Sequence, residues 1–255
     1  MRNPTVSLIC PTYNQADTIG LTVRSILRQT FTDFELIVVS DGAGEETDRA
    51  MLMFSDARIK YKILDHGNDF GIGALNYGME LAQGDYLTFI SSDNLYFSPF
   101  LRTLLETIDE TGADFSFGDF LAYEKETGLW IEFERPPHLS GQFALEHLAV
   151  GYTIGICFLF TRDIFEAVKP YIVSPHADYD MAARMAIAGA AFHHVPAVLG
   201  VNAIHEKQLS VTSRSQKDET KTRLMVVEHL IKIGHPGAKE FKEKAERMKK
   251  LTKGG

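Results

Sequence analysis

Short runs of consecutive apolar residues alternate, through the first half of the chain, with segments whose apolar positions recur every three to four residues. Val6-Ser7-Leu8-Ile9-Cys10 reads as a buried strand halted by Pro11. Between Asp17 and Gln29, the positions Ile19, Val23, Ile26 and Leu27 fall at i, i+4, i+7 and i+8, one face of a helix. Phe34 to Val39 is a second β-branched run, ended by Ser40-Asp41-Gly42, and a polar helix follows toward Phe54. Ile59 to Leu64 gives a third strand, and Gly73 to Ala82 a helix stopped by Gly84. Tyr86 to Ile90 gives a fourth strand, Pro99 to Thr111 a helix, and Phe115 to Tyr123 a further strand. This βα alternation with continuously hydrophobic strands predicts a mostly parallel, doubly wound sheet with helices on both faces.

The pattern is less regular after residue 123. Glu124 to Ser140 reads as a loop or hairpin with Trp130 and Phe133 as anchors and Pro136-Pro137 as a break. Helices are expected over Phe143–Val150, from Asp163 to Val168, over Asp178–Ile187 and over Asp218–Ile233. Short extended segments are expected at Phe158–Phe160 and Phe192–Val201, and Pro236 opens a last helix rich in Lys and Glu. No internal repeat or low-complexity linker divides the chain, so the two halves are expected to share one unit.

Composition narrows the function classes. The 255 residues are 45 % hydrophobic and 24 % charged, ordinary for a soluble globular protein. The net charge of −8 argues against nucleic acid as a partner. No apolar run approaches the ~20 residues that span a bilayer, and Met1-Arg2-Asn3-Pro4 leads straight into a strand-like run. Cys10 and Cys157 stand alone in apolar context, giving neither a zinc pattern nor a disulfide framework, so a cytoplasmic setting is the default expectation.

The candidate chemistry lies just past each strand. Pro11-Thr12-Tyr13-Asn14 follows the first, Ser40-Asp41-Gly42 the second, and Asp65-His66-Gly67-Asn68 with Phe70-Gly71-Ile72-Gly73 the third. Ser91-Ser92-Asp93-Asn94 follows the fourth. Parallel strands bring these ends to one sheet edge, where α/β proteins bind ligands. Short oxygen ligands around a carboxylate suit a hard cation, Mg²⁺ or Mn²⁺, carrying a phosphate. Turn residues at strand ends are also the bland explanation of each piece taken alone. Gly71-Ile72-Gly73 is not a dinucleotide fingerprint: its sixth position is Asn76, and it follows the third strand. A P-loop sequence is absent.

Taken in order, these pieces resemble the donor-binding half of the family 2 glycosyltransferases of GT-A fold. The matching segments are Val6 to Asn14, Ser25 to Phe31, Phe34 to Gly42, Asn76-Tyr77-Gly78 and Ala82 to Leu87, with Asp178-Tyr179-Asp180 similar to the family's acidic catalytic segment. The resemblance implies a GT-A domain over 1–212, with a nucleotide-sugar-binding half to 122 and an acceptor half over 123–212, followed by a helical extension over 213–255. It implies an inverting transferase moving a sugar from a nucleotide-diphospho-sugar, UDP-linked in the first instance, to a carbohydrate or lipid-linked acceptor in glycan or glycolipid synthesis. Pro11, Thr12, Tyr13, Asn14, Asp41, Asn68, Gly73, Asn76, Ser91 and Ser92 are the implied donor contacts. Asp93 and His205 are the implied ligands of Mn²⁺ or Mg²⁺, and Asp178 the implied general base.

Read without that resemblance, Asp178 is an N-cap candidate, and His205 a structural histidine. His193 and His194 have no nameable partner. The chain departs from the family at three positions: Ser91 and Asn94 stand where Asp is usual or frequent, and Ala177 where Glu is frequent. Those losses keep open a second class of function, a nucleotide-sugar binder of little catalytic power. Trp130, Phe133, Tyr152 and Tyr171 offer apolar faces to an acceptor, or serve as core. On the last helix, Ala238, Phe241, Ala245, Met248 and Leu251 form a stripe among lysines. That stripe fits packing on the domain, on a second subunit in a homodimer, or peripheral contact with the inner membrane face.

Overall fold

The computed structural model describes residues 3–42, 44–65, 69–131, 141–143, 145–204 and 213–253. The first half alternates as the periodicity predicts: β1 (Val6–Thr12), α1 (Ala16–Leu27), β2 (Phe34–Asp41), α2 (Glu45–Leu52), β3 (Ile59–Leu64), α3 (Ile72–Leu81) and β4 (Tyr86–Phe89). Then come β5 (Leu95–Tyr96), α4 (Phe100–Thr111), β6 (Phe115–Glu124) and β7 (Leu129–Ile131). The second half adds β8 (Gly141–Phe143), α5 (Leu145–Val150), β9 (Phe158–Thr161), α6 (Arg162–Val168), α7 (Ala177–Ile187) and β10 (Phe192–Ile204). It closes with α8 (Ser213–Lys232) and α9 (Ala238–Lys253).

One sheet runs in the order β3-β2-β1-β4-β9-β6-β10-β5, with β7 on β6 and β8 on β10. The β3-β2-β1-β4 and β6-β10 pairings are parallel, whereas β9 is antiparallel to both β4 and β6. The result is a mixed sheet, mostly parallel, with helices packed against both faces. β1 and β2 are buried at almost every position because both faces are covered. Leu8, Cys10, Leu36 and Val38 pack with Ile19, Val23 and Ile26 of α1 and with the apolar face of α4. Ile9, Ile37 and Val39 point the other way, into a cluster with α3, α5, α7 and α8.

Three expectations are corrected in detail. Residue 143 belongs to a strand, and the helix begins only at Leu145, because Gly141 to Phe143 pairs antiparallel with His194 to Phe192. β5 was not expected; its two residues pair with Gly200 and Val201, a long-range contact without local periodicity. Asp178 is not an N-cap, since His176 precedes the first turn and Asp178 lies within it. On α8, Val226, Val227 and Leu230 are fully buried in the same cluster as α7. On α9, Phe241 packs against that cluster beside His235, while the stripe positions 238, 245, 248 and 251 lie outside the described side chains. No helix among the described residues is long and apolar enough to cross a membrane.

Helix α3 sits directly on β1 and β2 because Gly78 carries no side chain: a Cβ there would lie 2.5 Å from Ile9 Cγ2 and 3.3 Å from Val39 Cγ2. Gly78→Val is expected to destabilise the protein by about 2–3 kcal/mol through overpacking. Urea unfolding should show a lower midpoint with an unchanged slope.

Candidate active site

The register of β1 assembles the site. Ile9 lies opposite Ile37 of β2 and Phe89 of β4, and Thr12 lies opposite Ser40, so the three strand ends emerge side by side. Asn14 turns the chain with φ 52, and its Oδ1 accepts from the Gly44 N–H at 3.4 Å, tying the loop after β1 to the loop after β2. Gly71, with φ 75, brings the loop after β3 to within 3.9 Å of the Pro11 ring, measured from the position a Cβ would take. Pro11, Thr12, Tyr13, Asn14 and Asp41 thus share one edge. Asp41 and Thr12 are buried, Tyr13 is exposed, and Thr12 Oγ1 has no hydrogen-bond partner among the described residues. A buried hydroxyl without a partner is costly unless a ligand supplies one.

At the end of β4, Ser91 and Asp93 are partly exposed, and Ser92 and Asn94 are buried. The Asn94 carbonyl accepts from Thr22 Oγ1 at 2.8 Å, and its Oδ1 accepts from the Ala203 N–H at 3.0 Å. That amide holds the turn against α1 and β10. Beneath it, the Cys10 thiol and the Tyr96 hydroxyl have their pKa values driven well up, by burial first and also by the nearby Asp93 charge. The carboxylate therefore stands over a dry, uncharged floor.

Asp178 lies in the second half, in the first turn of α7. Phe89 of β4 contacts the Tyr171 ring edge-on, with centroids 5.7 Å apart, and Tyr171 in turn senses the Asp178 charge. The Asp178 pKa is raised by burial, against the opposing effects of the Tyr179 N–H, the His176 imidazole and the Tyr152 hydroxyl. The Tyr179 N–H donates to its Oδ1 at 2.8 Å. Tyr152 also reaches the Gly155 carbonyl at 3.1 Å, so its single proton is shared between that oxygen and the carboxylate.

Other expected contacts fall differently. The Asn76 amide is occupied: Nδ2 donates to the Tyr171 carbonyl at 2.9 Å and Oδ1 accepts from the Tyr171 N–H at 2.9 Å. It braces the α6–α7 connection. The Gly73 N–H likewise donates to Asp69 Oδ2 at 2.8 Å. Asn68, Phe133 and His205 lie outside the described residues. Tyr171 is core, while Trp130 is exposed and packs on Tyr123. His194, without a partner in the sequence reading, meets Asp119 at 2.9 Å across β10 and β6. Ala177 is buried in the core cluster.

Residues 7–169 match the family model described as "Glycosyl transferase family 2". The chain belongs to glycosyl transferase family 2. It is 30 % identical over 146 residues to an Escherichia coli UDP-Glc:alpha-D-GlcNAc-diphosphoundecaprenol beta-1,3-glucosyltransferase, covering 57 % of each chain. It is 34 % identical over 132 residues to a Campylobacter jejuni GalNAc(5)-diNAcBac-PP-undecaprenol beta-1,3-glucosyltransferase, covering 51 % of this chain and 42 % of that protein. The chain thus spans about half the length of the curated relatives it matches. Among solved structures, S. aureus TarS 1–349 in complex with UDP-GlcNAc superposes with a TM-score of 0.72 at 16 % identity, over 89 % of this chain and 66 % of that one. A Pyrobaculum calidifontis mannosyltransferase in complex with GDP-Man and Mn²⁺ gives 0.62 at 16 % identity, over 96 % of this chain and 70 % of that one. At that identity the likeness is one of fold.

A family member's divalent cation would find one carboxylate here. Among the described residues no group of three or more His, Cys, Asp or Glu side chains gathers to hold a metal. Asp93 alone still fits a hard cation whose other ligands are donor phosphates and water, the mode in which Mg²⁺ is usually held. The sequence reading missed the bond between Tyr152 and Asp178; the only local signal was an aromatic set between Gly151 and Gly155.

The Asp178 shift has a stability consequence. Its folded-state pKa lies above the unfolded value, so its ionised form destabilises the fold above that raised pKa. The penalty fades as pH falls through it and is gone below about pH 4. Asp178→Asn should therefore raise the melting temperature at pH 8 and lose that advantage at pH 4, as followed by circular dichroism. An equal difference at both pH values would contradict the shift.

Proposed function

We propose that this chain transfers a sugar from a nucleotide-diphospho-sugar to an acceptor hydroxyl, with inversion at the anomeric carbon. The observation that carries the reading is the position of Asp178: a carboxylate of raised pKa, linked through Tyr171 and Phe89 to the strand ends that bear Thr12, Asp41 and Asp93. Thr12, Asp41 and the residues around Asn14 take the nucleotide, with the unpartnered Thr12 hydroxyl available to a base or ribose. Ser91 hydrogen-bonds the ribose more weakly than an ionised acceptor would. Asp93, with the donor phosphates, would hold a divalent cation, which when bound would neutralise charge on the departing diphosphate.

Asp178 removes the acceptor hydroxyl proton as that oxygen bonds to the anomeric carbon. The bond from that carbon to the phosphate oxygen breaks, its electron pair leaves with the nucleoside diphosphate, and the proton ends on Asp178. A carboxylate whose pKa is raised by burial is a stronger base than an exposed one, and such a base contributes about 10²–10⁴-fold. The names of the relatives support UDP-glucose as donor and a diphospholipid-linked sugar as acceptor. A second reading, donor binding without turnover, draws on the missing carboxylates at Ser91, Asn94 and Ala177.

Calorimetric titration with UDP, GDP and dTDP, with and without Mn²⁺, tests the donor site. UDP is expected to bind more tightly with Mn²⁺, and Asp93→Asn to forfeit about 10–100-fold of that affinity, at least what an outer-shell loss costs. Absence of binding at millimolar nucleotide would sink the donor site. With UDP-glucose and a synthetic GlcNAc-diphospholipid, Asp178→Asn should keep UDP affinity and lose about 10²–10⁴-fold in turnover. Unchanged turnover would remove Asp178 from its role, and a parent that binds without turnover would favour the second reading.

A further inference from the structure

Near the Tyr152 hydroxyl that meets Asp178 lies α8, a helix beyond the segment matched by the family model. The Tyr152 ring lies 5.5 Å from that of Tyr179, tilted by 33°. Tyr179 is fully buried, and its hydroxyl donates to the Leu148 carbonyl while accepting from the Arg223 guanidinium of α8. Burial pushes the Tyr179 pKa up to about 12 against the opposing Arg223 charge, so the hydroxyl stays neutral and keeps its proton for Leu148. Arg223 also pairs with Glu219, one turn earlier on α8. Its Nη2 lies 3.0 Å from where a Cβ on Gly151 would stand, so the guanidinium covers the start of the loop that carries Tyr152.

The side chains of Arg223 and Glu219 are 27 % and 32 % exposed. An ion pair that merely decorates a surface contributes little. A guanidinium, by contrast, presents several donors in a fixed planar fork. Here Nη2 engages Glu219 and also stands over Gly151, and the group binds Tyr179 as well. The helix that carries it is anchored by Val226, Val227 and Leu230, all fully buried. The guanidinium is therefore set from a rigid element.

We infer that Arg223 and Glu219 are positioning residues for the general base, acting through Tyr179 and the 151–155 loop to hold the Tyr152 hydroxyl on Asp178. The inference rests on the reading of Asp178 as base. The groups that face this carboxylate are Tyr152 from the loop, His176 at the start of its own helix, and Tyr171 from the α6–α7 connection with Arg184 beyond it.

The test reads the carboxylate directly, by carbon-13 NMR of the full chain labelled at aspartate carboxyls, with Asp178 assigned from the signal missing in Asp178→Asn. A hydrogen bond from Tyr152 favours the ionised form, so Tyr152→Phe should move the Asp178 titration midpoint upward. Arg223→Ala and Glu219→Gln should move it the same way, and Arg223→Lys should restore part of the shift. Arg223→Ala should add little in a Tyr152→Phe background, because both act through one bond. Lys221→Ala, on the exposed face of α8, should leave the midpoint in place. If Arg223→Ala does not fold, Arg223→Lys and Glu219→Gln carry the same reading. An unmoved midpoint in the α8 variants beside a moved one in Tyr152→Phe overturns the inference, as does full additivity of the two changes. Failure of the base reading is a separate result: Asp178→Asn would retain full transfer of glucose from UDP-glucose, whatever the NMR midpoints do.

Discussion

The in-register parallel pairing of β1 between β2 and β4 is the constraint on which the rest depends. Seven consecutive residue pairs join β1 to β2 and four join β1 to β4. A slip of one residue would turn Ile9 toward α1 and Cys10 toward α3, moving every side chain to the wrong face. Correct register fills both faces of the sheet and sets the ends of the strands at one level. The polar turns after them then form a single edge instead of scattered loops. Gly78 contributes by letting α3 approach β1 and β2 closely, which also brings the loop before α3 up to Pro11.

The two edges of this sheet solve the polar-group problem differently. At the edge where β1 and β2 begin, the buried Glu35 carboxylate accepts from Ser7 Oγ at 2.6 Å and from the Gln83 N–H at 2.7 Å, and pairs with Lys60. Ser7 Oγ also accepts from the Gly84 N–H, and Arg162 donates to the Gly84 carbonyl. These groups satisfy one another, which is the usual condition for burying them. At the opposite edge Thr12 Oγ1 is buried and unsatisfied. Glu35 Oε2 has the Lys60 ammonium as its partner, whereas Thr12 Oγ1 has none among the described residues.

The first half of the molecule was legible in the sequence because its signals are local. Buried parallel strands announce themselves as unbroken apolar runs, and α1 shows its face in four residues. The second half depends on contacts between distant residues. The two residues of β5 exist because Gly200 and Val201 run beside them, and no periodicity can arise in so short a strand. His194 looked unpartnered because Asp119, 75 residues away, reaches it only through the β6–β10 register. For the same reason Asn76 read as a donor contact while its amide is taken by the backbone of Tyr171, 95 residues on. The strand-end turns were visible; which polar groups within them are already engaged was not.

The departures from the family pattern gain a physical meaning from this geometry. Asn94 holds its turn by accepting from the Ala203 N–H while its carbonyl anchors α1, work that needs an acceptor and no charge. Ala177 packs into the core that seats α7, an apolar position at the start of the helix that carries Asp178. Only Ser91 remains a plain loss at the edge itself. Asp93 then stands as a single charge over a floor of uncharged Cys10 and Tyr96. With so little protein charge, a cation at this turn must draw most of its ligands from the diphosphate it accompanies, because ligand charge helps set affinity. Under the proposed function, metal and donor are thus expected to arrive as one unit, with selectivity resting on Thr12, Asp41 and the loop around Asn14.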